Sequence, residues 1–465
     1  MISIILAGGA GYRLWPLSRK YSPKFLLKFG NSKFSLLQQT FLRVKKFTDI
    51  NKIFIVVNEE HKFLVKENIQ DLDIDFPIEN IIPEPELKNT LAAVTLACSI
   101  IKNKFGEEQI VGVFPSDHYI EDDKEFTDYV LTAKTLAKEH IILFGIKPNR
   151  PETEYGYILV DKVYYETKGK KAYFVKKFIE KPDLKKAKTI FHLNNVFWNG
   201  GIFIFTIRTF FSELKIYQKE LFEKFEGLKD LSQLKKIYEN ISPVSIDKGL
   251  IEKTKKILVL PLEIFWDDLG SWLSIERVYK KDAQGNIILA NKYIDMYSQN
   301  ITVIGDKKLI TSYGLKDLII VDTEDVLFVA NKNYLNSIKQ IVEKVLKEPT
   351  LSDTALYHKT IMRPWGFYTI LKQEKKYKIK LINIFPQKKI SLQKHKRRTE
   401  QWFVVDGIAK IFYKEKIYYL KKGEIFKIEK NMPHKLENPS KKNILEIVEV
   451  SYGSYLGEDD IVRLE

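Results

Sequence analysis

From Met1 to about Lys280, short apolar runs alternate with longer stretches whose apolar positions follow a helical spacing. The runs are ISIILA, KIFIVV, IVGVFPSDH, IILFGI, GGIFIF and KILVLPL; their length and β-rich content predict short strands. The first of them stops abruptly at Gly8 and Gly9. Strands alternating with helices predict an open, mostly parallel α/β sheet, and such sheets gather their ligands at the carboxyl ends of the strands.

The pattern then changes. From about Asp282 to Lys347 the apolar runs shorten and crowd together as NITVIG, KLITSYG, LIIVDT and VLFVANK, followed by one amphipathic helical segment, NYLNSIKQIVEKVLKE. Short, evenly spaced strands predict a small β-solenoid-like module. The segment EPTLSDTALYHK, Glu348 to Lys359, is polar and without period, which predicts a linker. Beyond it, RPWGFY opens an all-β region punctuated by the turns VVDGIA, KKGE and ENPSKK, the pattern of a barrel or jelly roll. The expected divisions are residues 1–281, 282–347, 348–359 and 360–465.

Composition narrows the class. The 465 residues are 45% hydrophobic and 13% aromatic, a globular composition with room for more than one core. No apolar stretch approaches a bilayer-spanning length and no signal peptide is evident, so the expected location is the cytoplasm, without a membrane partner. The single cysteine, Cys98, lies in the apolar stretch TLAAVTLACSI and is expected to be a buried small residue. A net charge of +16 raises the question of nucleic acid, but the lysines are scattered and accompany no recognition module. Nucleic acid is therefore not expected as a partner, whereas small anionic substrates suit a basic protein.

Three clusters carry chemistry. GGAGYRLWPLSRKYSPK, directly behind the first strand, combines Gly8, Gly9 and Gly11 with Arg13 and Lys24. Bare backbone amides form an anion-binding concavity and the two cations add charge to it, so a phosphate chain is the expected ligand. Asp117 in FPSDH and Asp268 in WDDLGSW, where Asp267 precedes it, each follow a strand. Two carboxylates brought to one sheet edge suit a Mg²⁺ ion on nucleotide phosphates; the alternative is a pair of turn-capping aspartates. In the last region Gln393 and His395 alternate along a strand, Glu400 follows, and His434 arrives from a later strand. Two imidazoles, a carboxylate and an amide oxygen make a mixed set for Zn²⁺ or another divalent first-row metal.

The ordered motifs LAGGAGYRLWPLSR with PK following, EPELKNTLAA, FPSDHYI, FGIKPNRPETEYGYI, FIEKP, WNGGIFIF, SIDKGLIEK and WDDLGSW resemble the bacterial mannose-1-phosphate guanylyltransferases. The resemblance spans the whole chain and implies a Rossmann-like nucleotidyltransferase domain that makes GDP-mannose and pyrophosphate from GTP and mannose 1-phosphate. It implies that Gly8, Gly9 and Gly11 cradle the triphosphate and that Arg13 and Lys24 stabilise charge on the reacting phosphates. It places Asn89 and Thr90 near guanine, and Glu180, Lys181 and Asn199 at the sugar and its phosphate. Trp198, Trp266 and Trp272 are expected to be packing residues.

RPWG, SLQ, EQWFVVDG, HKLENP and YLGEDDIVR are similar to the phosphomannose isomerase domain fused to these transferases. That implies a C-terminal cupin β-barrel whose metal assists interconversion of mannose 6-phosphate and fructose 6-phosphate, with Arg398 on the substrate phosphate or the enediolate. The whole then resembles a bifunctional guanylyltransferase and type II phosphomannose isomerase, for which a homodimer is implied. Phe25, Lys88 and Gly200 stand where the family has glutamine, arginine and serine. Arg397, Gln401 and Asn431 replace two histidines and a glycine around the last metal set. A guanylyltransferase with a non-catalytic cupin, and a non-catalytic regulator that binds sugar nucleotides, are the alternatives.

Overall fold

The computed structural model describes residues 1–464 except 10, 30, 31, 168, 229, 230 and 349, together with all described side chains but those of 336 and 459. The chain forms two compact units, Met1–Thr323 with Leu327–Lys347, and Glu324–Val326 with Glu348–Glu465. Among the described residues no helix is long and apolar enough to cross a membrane.

The first unit is built on strands β1 (Ile2–Ala7), β2 (Ile53–Asn58), β3 (Ile81–Glu84), β4 (Ile110–Pro115), β5 (Tyr119–Ile120), β6 (Ile141–Ile146), β7 (Tyr157–Thr167), β8 (Lys170–Ile179), β9 (Val196–Thr206), β10 (Ile257–Leu262) and β11 (Trp266–Asp267). Nine of them form one sheet in the order β3-β2-β1-β4-β9-β6-β10-β8-β7. This corrects the expectation of a mostly parallel sheet. The pairs among β1 to β4 and β6–β10 are parallel. Strand β9 lies antiparallel between β4 and β6, and the long hairpin β7–β8 adds further antiparallel pairs. The hairpin escaped the hydrophobic pattern because much of β7, including Asp161 and Lys162, is exposed and polar. Strand β3 escaped it because the run is four residues long and contains Pro83.

Alternation along β1 explains why the sheet is covered on both faces. Ile2 and Ile4 enter one core with Phe54, Val56 and the helix Asn89–Phe105, whereas Ile5 and Ala7 enter the other with Ile55 and Phe41. Cys98 is fully buried on that helix, as expected of a small core residue. Because β1, β3 and β4 run parallel, the glycine loop, Glu84 and Asp117 all emerge at the same sheet edge.

Within the same unit, β12 (Ile287–Ala290), β14 (Thr302–Gly305) and β16 (Leu318–Asp322) stack in parallel, with Ile288, Val303 and Ile320 in register. Strands β13 (Tyr293–Met296) and β15 (Ile310–Tyr313) stack likewise as a second wall, so each turn of chain repeats the one before it, which is the solenoid pattern. Strand β17 (Leu327–Asn331) closes the stack antiparallel to β16, ahead of the helix Ile338–Lys347.

The second unit is a jelly roll of two sheets. Its strands are β18 (Thr360–Arg363), β19 (Gly366–Gln373), β20 (Tyr377–Ile384), β21 (Gln393–His395), β22 (Arg398–Asp406), β23 (Ile408–Tyr413), β24 (Lys416–Lys421), β25 (Ile425–Ile428), β26 (His434–Glu437), β27 (Leu445–Gly453) and β28 (Ile461–Arg463). The sheet orders are β18-β19-β20-β27-β22-β25 and β24-β23-β26-β21-β28. Ile382, Ile447 and Trp402 from one sheet meet Ile411 and Leu436 from the other in a common core. The two sheets pack as a sandwich and stay separate, so the expected cupin barrel is present as an open jelly roll. The segment 348–359, expected as a linker, contains the helix Ser352–Leu356 with Ala355 buried, and belongs to this unit.

Candidate functional site

The loop after β1 turns at Gly9 and Gly11, whose φ values of 89° and 66° lie in the left-handed region. A Cβ on Gly11 would come within 2.6 Å of Cβ of Lys24, so the missing side chain is what allows the lysine to approach. Lys24 is buried, and its Nζ donates to Asp117 Oδ2 and to the backbone oxygen of Asp268, each at 2.6 Å. An isolated ammonium in such a place would cost several kcal/mol, roughly, so these acceptors are a condition of the loop's position.

Asp268 Oδ1 accepts the Tyr155 hydroxyl at 2.8 Å and the Gly270 amide at 2.9 Å. Burial pushes this carboxyl up, but Lys24 and the two donors outweigh it and hold it below the ordinary carboxylate range. Asp267 is turned away to Arg277 Nε at 2.5 Å and the Leu269 amide at 2.9 Å. Asp117 Oδ1 and Asp268 Oδ2 accept no hydrogen bond among the described residues. Two carboxylates beside one cation, each with an oxygen to offer, fit a small hard ion that takes few protein ligands. His118 backs the pair; burial lowers its imidazole to about 4, and its Nδ1 accepts the Trp266 indole at 3.1 Å. Arg13 stands apart from this group, with Nη2 2.7 Å from Glu154 Oε2.

Gly8, Gly9 and Asp117 line one side of a cavity of about 540 Å³ whose other lining includes Asn89, Thr90, Glu84 and the apolar Leu6, Val56 and Leu87. Asn89, at φ 69°, opens its helix and accepts the Thr90 amide on Oδ1 at 2.8 Å, and Thr90 Oγ1 accepts the Ile246 amide at 2.9 Å. Glu84 was not singled out from the sequence. It is 3% exposed, accepts the Tyr238 hydroxyl at 3.0 Å, and is raised by burial to about 7. The signal available was an acid at the end of an apolar run between two prolines, IIPEP.

Asn199 Nδ2 donates to Asp247 Oδ1 at 2.8 Å, and Asp247 also lines the cavity. Burial raises Asp247 to about 6; burial and the charge of Asp247 raise Glu180 to about 7. Lys181 Nζ lies 3.9 Å from Glu180 Oε1. Glu180, Lys181 and Asn199 are thus gathered around Asp247, which sequence reasoning quoted within SIDKGLIEK without assigning it. Trp198, Trp266 and Trp272 are buried packing residues, as expected. Of the family departures, Phe25 is buried against His61 and Lys88 pairs with Glu86 at 3.2 Å, while Gly200 leaves no room for a Cβ beyond 3.0 Å from Phe144 O.

In the second unit Gln393 lies opposite His434 in the ladder, and His395, Glu400 and His434 bring ligand atoms within 4.8 Å of one another. His395 Nε2 is 3.0 Å from Glu400 Oε1, and His434 Nε2 is 3.9 Å from Glu400 Oε2. All three side chains are buried, yet both ring nitrogens of His395, Oε2 of Glu400 and Nε2 of His434 lack hydrogen-bond partners among the described residues. Orphaned donors and acceptors converging on one point fit a metal ion. His434 Nδ1 lies 2.9 Å from Met432 O; donating there leaves the Nε2 lone pair for the ion. Despite burial, the two imidazoles and Arg398, whose Nε donates to Glu400 Oε1 at 3.0 Å, hold the Glu400 carboxyl well below the usual range.

The three replaced positions do not reach this centre. Arg397 is exposed in the bend between β21 and β22, and Gln401 is exposed on the outer side of β22. Asn431 occupies a turn at φ 61°, a conformation asparagine tolerates nearly as well as glycine, and its amide donates to His395 O at 2.7 Å.

Family comparison follows the same division. Residues 2–285 match the nucleotidyl transferase family, residues 291–345 the mannose-6-phosphate isomerase and guanylyltransferase-like β-helix domain, and residues 351–465 the mannose-6-phosphate isomerase C-terminal domain. The alginate biosynthesis protein AlgA of Pseudomonas aeruginosa is 36% identical across 100% of this chain and 96% of its own length. The mannose-1-phosphate guanylyltransferase RfbM of Salmonella typhimurium is 34% identical with the same coverage. The crystal structure described as mannose-1-phosphate geranyltransferase from Thermus thermophilus aligns with a TM-score of 0.67 and 27% identity, over 74% of this chain and 98% of that one. The chain therefore belongs to the nucleotidyl transferase family, in the form that carries a mannose-6-phosphate isomerase C-terminal domain.

Proposed function

We propose that the first unit is a mannose-1-phosphate guanylyltransferase and the second a mannose-6-phosphate isomerase. The observation that carries the first reading is the single cavity in which the Gly8–Gly9 backbone, Asp117, Glu84 and Asp247 meet. It offers a phosphate end, a base end and a sugar end. An oxygen of mannose 1-phosphate, already ionised, attacks the α-phosphorus of GTP; the bond from that phosphorus to the bridging oxygen breaks and pyrophosphate leaves with the electron pair. No proton needs to move, so the chain's task is alignment and charge neutralisation.

The amides of Gly8 and Gly9 hold the triphosphate, Lys24 stands beside the reacting phosphates, and Arg13 joins when it exchanges Glu154 for the leaving pyrophosphate. Asp117 and Asp268 would hold Mg²⁺, which supplies charge neutralisation across the phosphates. Thr90 and Asn89 lie at the helix start beside the base. Glu84 faces the base end, where a carboxylate accepts two N–H donors at once, the pattern that guanine presents at N1 and its exocyclic amine and adenine does not. Glu180, Lys181, Asn199 and Asp247 surround the sugar and its phosphate. A cytoplasmic location, where nucleoside triphosphates are kept, belongs to the same reading.

In the second unit Gln393, His395, Glu400 and His434 would hold Zn²⁺ or another divalent ion, which polarises the sugar's carbonyl and hydroxyl oxygens. The isomerisation removes the proton from C2 of the open-chain aldose, returns one to C1, and shifts the hydroxyl proton from O2 to O1. The exposed Arg397 and Gln401 favour a working centre over a non-catalytic cupin, since His395, Glu400 and His434 converge without them.

Three outcomes are expected. Asp268→Asn lowers pyrophosphate release at saturating GTP and Mg²⁺ by about 10²–10³-fold, the scale of losing one preorganised charge at a transferring group, and leaves sugar-phosphate isomerisation intact. His395→Ala does the reverse; loss of both activities in either folded variant contradicts separate centres. Glu84→Gln raises the KM for GTP by about tenfold or more and narrows the preference for GTP over ATP. The ionised Glu84 is the form that accepts both donors, so the KM for GTP should fall as pH rises through about 7, and steady-state kinetics should find that dependence absent in the glutamine variant.

A further inference from the structure

The inner face of the six-stranded sheet in the second unit changes character along its length. Ile382, Ile447 and Val404 form an apolar row across β20, β27 and β22; the next rows are Lys380, Glu449 and Trp402, then Lys378, Ser451 and Glu400. Lys378 therefore lies in the same row as Glu400 of the proposed metal centre, two interstrand spacings away, about 10 Å at Cα, with only the small Ser451 between. Both lysines and the neighbouring Arg398 are buried.

Their partners are three consecutive residues of one segment. Lys378 Nζ donates to Leu456 O at 3.0 Å, Arg398 Nη1 to Gly457 O at 2.9 Å, and Lys380 Nζ to Glu458 Oε1 at 3.0 Å. Lys380 also lies 3.6 Å from Glu449. Lys378 has no carboxylate partner among the described side chains and rests on a backbone carbonyl alone. A buried ammonium with so little compensation is costly for stability and marks a functional site more often than a structural one. Burial first, then the charges of Lys380 and Arg398, push the Lys378 ammonium below its usual range against the opposing charge of Glu458.

We propose that Lys378, Lys380 and Arg398 are the phosphate subsite of the isomerase centre, and that Leu456–Glu458 is a strap whose two carbonyls and one carboxylate hold the place of the phosphate oxygens. This rests on the isomerase reading of the second unit. The row geometry supports it: a hexose phosphate with C1 and C2 at the His395, Glu400 and His434 cluster extends along the row past Ser451 toward Lys378. Charge supports it as well. Withdrawal of Glu458 leaves three cations facing Glu400 and Glu449, a net positive charge that attracts a phosphate group. The strap lies within YLGEDDIVR, a motif of the sequence to which the metal centre gives no task.

The test uses the full chain with its metal. Lys378→Met keeps the side-chain length and removes the unpaired charge, so folding is retained. It should raise the KM for mannose 6-phosphate by about tenfold or more, with a smaller effect on kcat, and Lys378→Arg should restore most of the loss. Glu458→Gln loosens the strap and should lower that KM severalfold. Guanylyltransferase kinetics should not change in any of the three. Calorimetric titration with mannose 6-phosphate, with mannose as the control lacking phosphate, reads the subsite without turnover. Binding that is equal in wild type and Lys378→Met, or a KM unchanged in Glu458→Gln, overturns the proposal. Lys378-dependent binding in a protein that never forms fructose 6-phosphate upholds the subsite and overturns the isomerase reading instead.

Discussion

The ammonium of Lys24, buried where the glycine loop, Asp117 and Asp268 meet, is the contact on which the first unit's site depends. A charge in that position is tolerable only while its acceptors are in place. Those acceptors come from chain segments far apart in sequence, one after β4 and one after β11. Holding them is what the mixed sheet does: it delivers the ends of β1, β3 and β4 to one edge, and Gly11 removes the side chain that would block the lysine. Tyr155 and Gly270 then fix the Asp268 carboxylate through Oδ1, so that Oδ2 is left without a hydrogen bond among the described residues.

The second unit applies the same constraint with the sign reversed. Glu400 is a buried carboxylate surrounded by His395, His434 and Arg398, and four of the polar atoms in that cluster have no hydrogen-bond partner among the described residues. The jelly roll supplies apolar packing below the cluster and a band of charge beside it, because alternate residues of β20, β22 and β27 change from Ile, Val and Leu to Lys, Arg and Glu along the same inward face. Stability and the proposed function divide along the strand, apolar rows closing the core and charged rows lining the end assigned above to the sugar phosphate.

Much of this was legible in the sequence, and the misses have physical causes. The glycine loop, the two aspartates and the Gln393, His395, Glu400 and His434 set could be found because each uses residue types with few other reasons to sit together. The antiparallel hairpin β7–β8 could not, since a half-exposed ribbon carries charges on its outer positions and loses the apolar signature of a strand. Nor could the place of β9, because strand order depends on which faces remain to be covered and not on any local pattern. Glu84 and Asp247 were missed for a related reason: an acid acquires meaning only when the fold buries it, and burial is a property of the surrounding strands. Lys378 looked like one lysine among many in a basic chain until β20 turned it inward. The short helix in the expected linker owes its place to Ala355, one small apolar residue in a polar stretch.

The most direct test is the reaction of the purified full chain with GTP, mannose 1-phosphate and Mg²⁺, followed by pyrophosphate release and by chromatography of the nucleotide product. Equal amounts of pyrophosphate and GDP-mannose are predicted, dependent on both substrates and on the ion. A protein that binds GTP and releases no pyrophosphate under these conditions would contradict the guanylyltransferase reading.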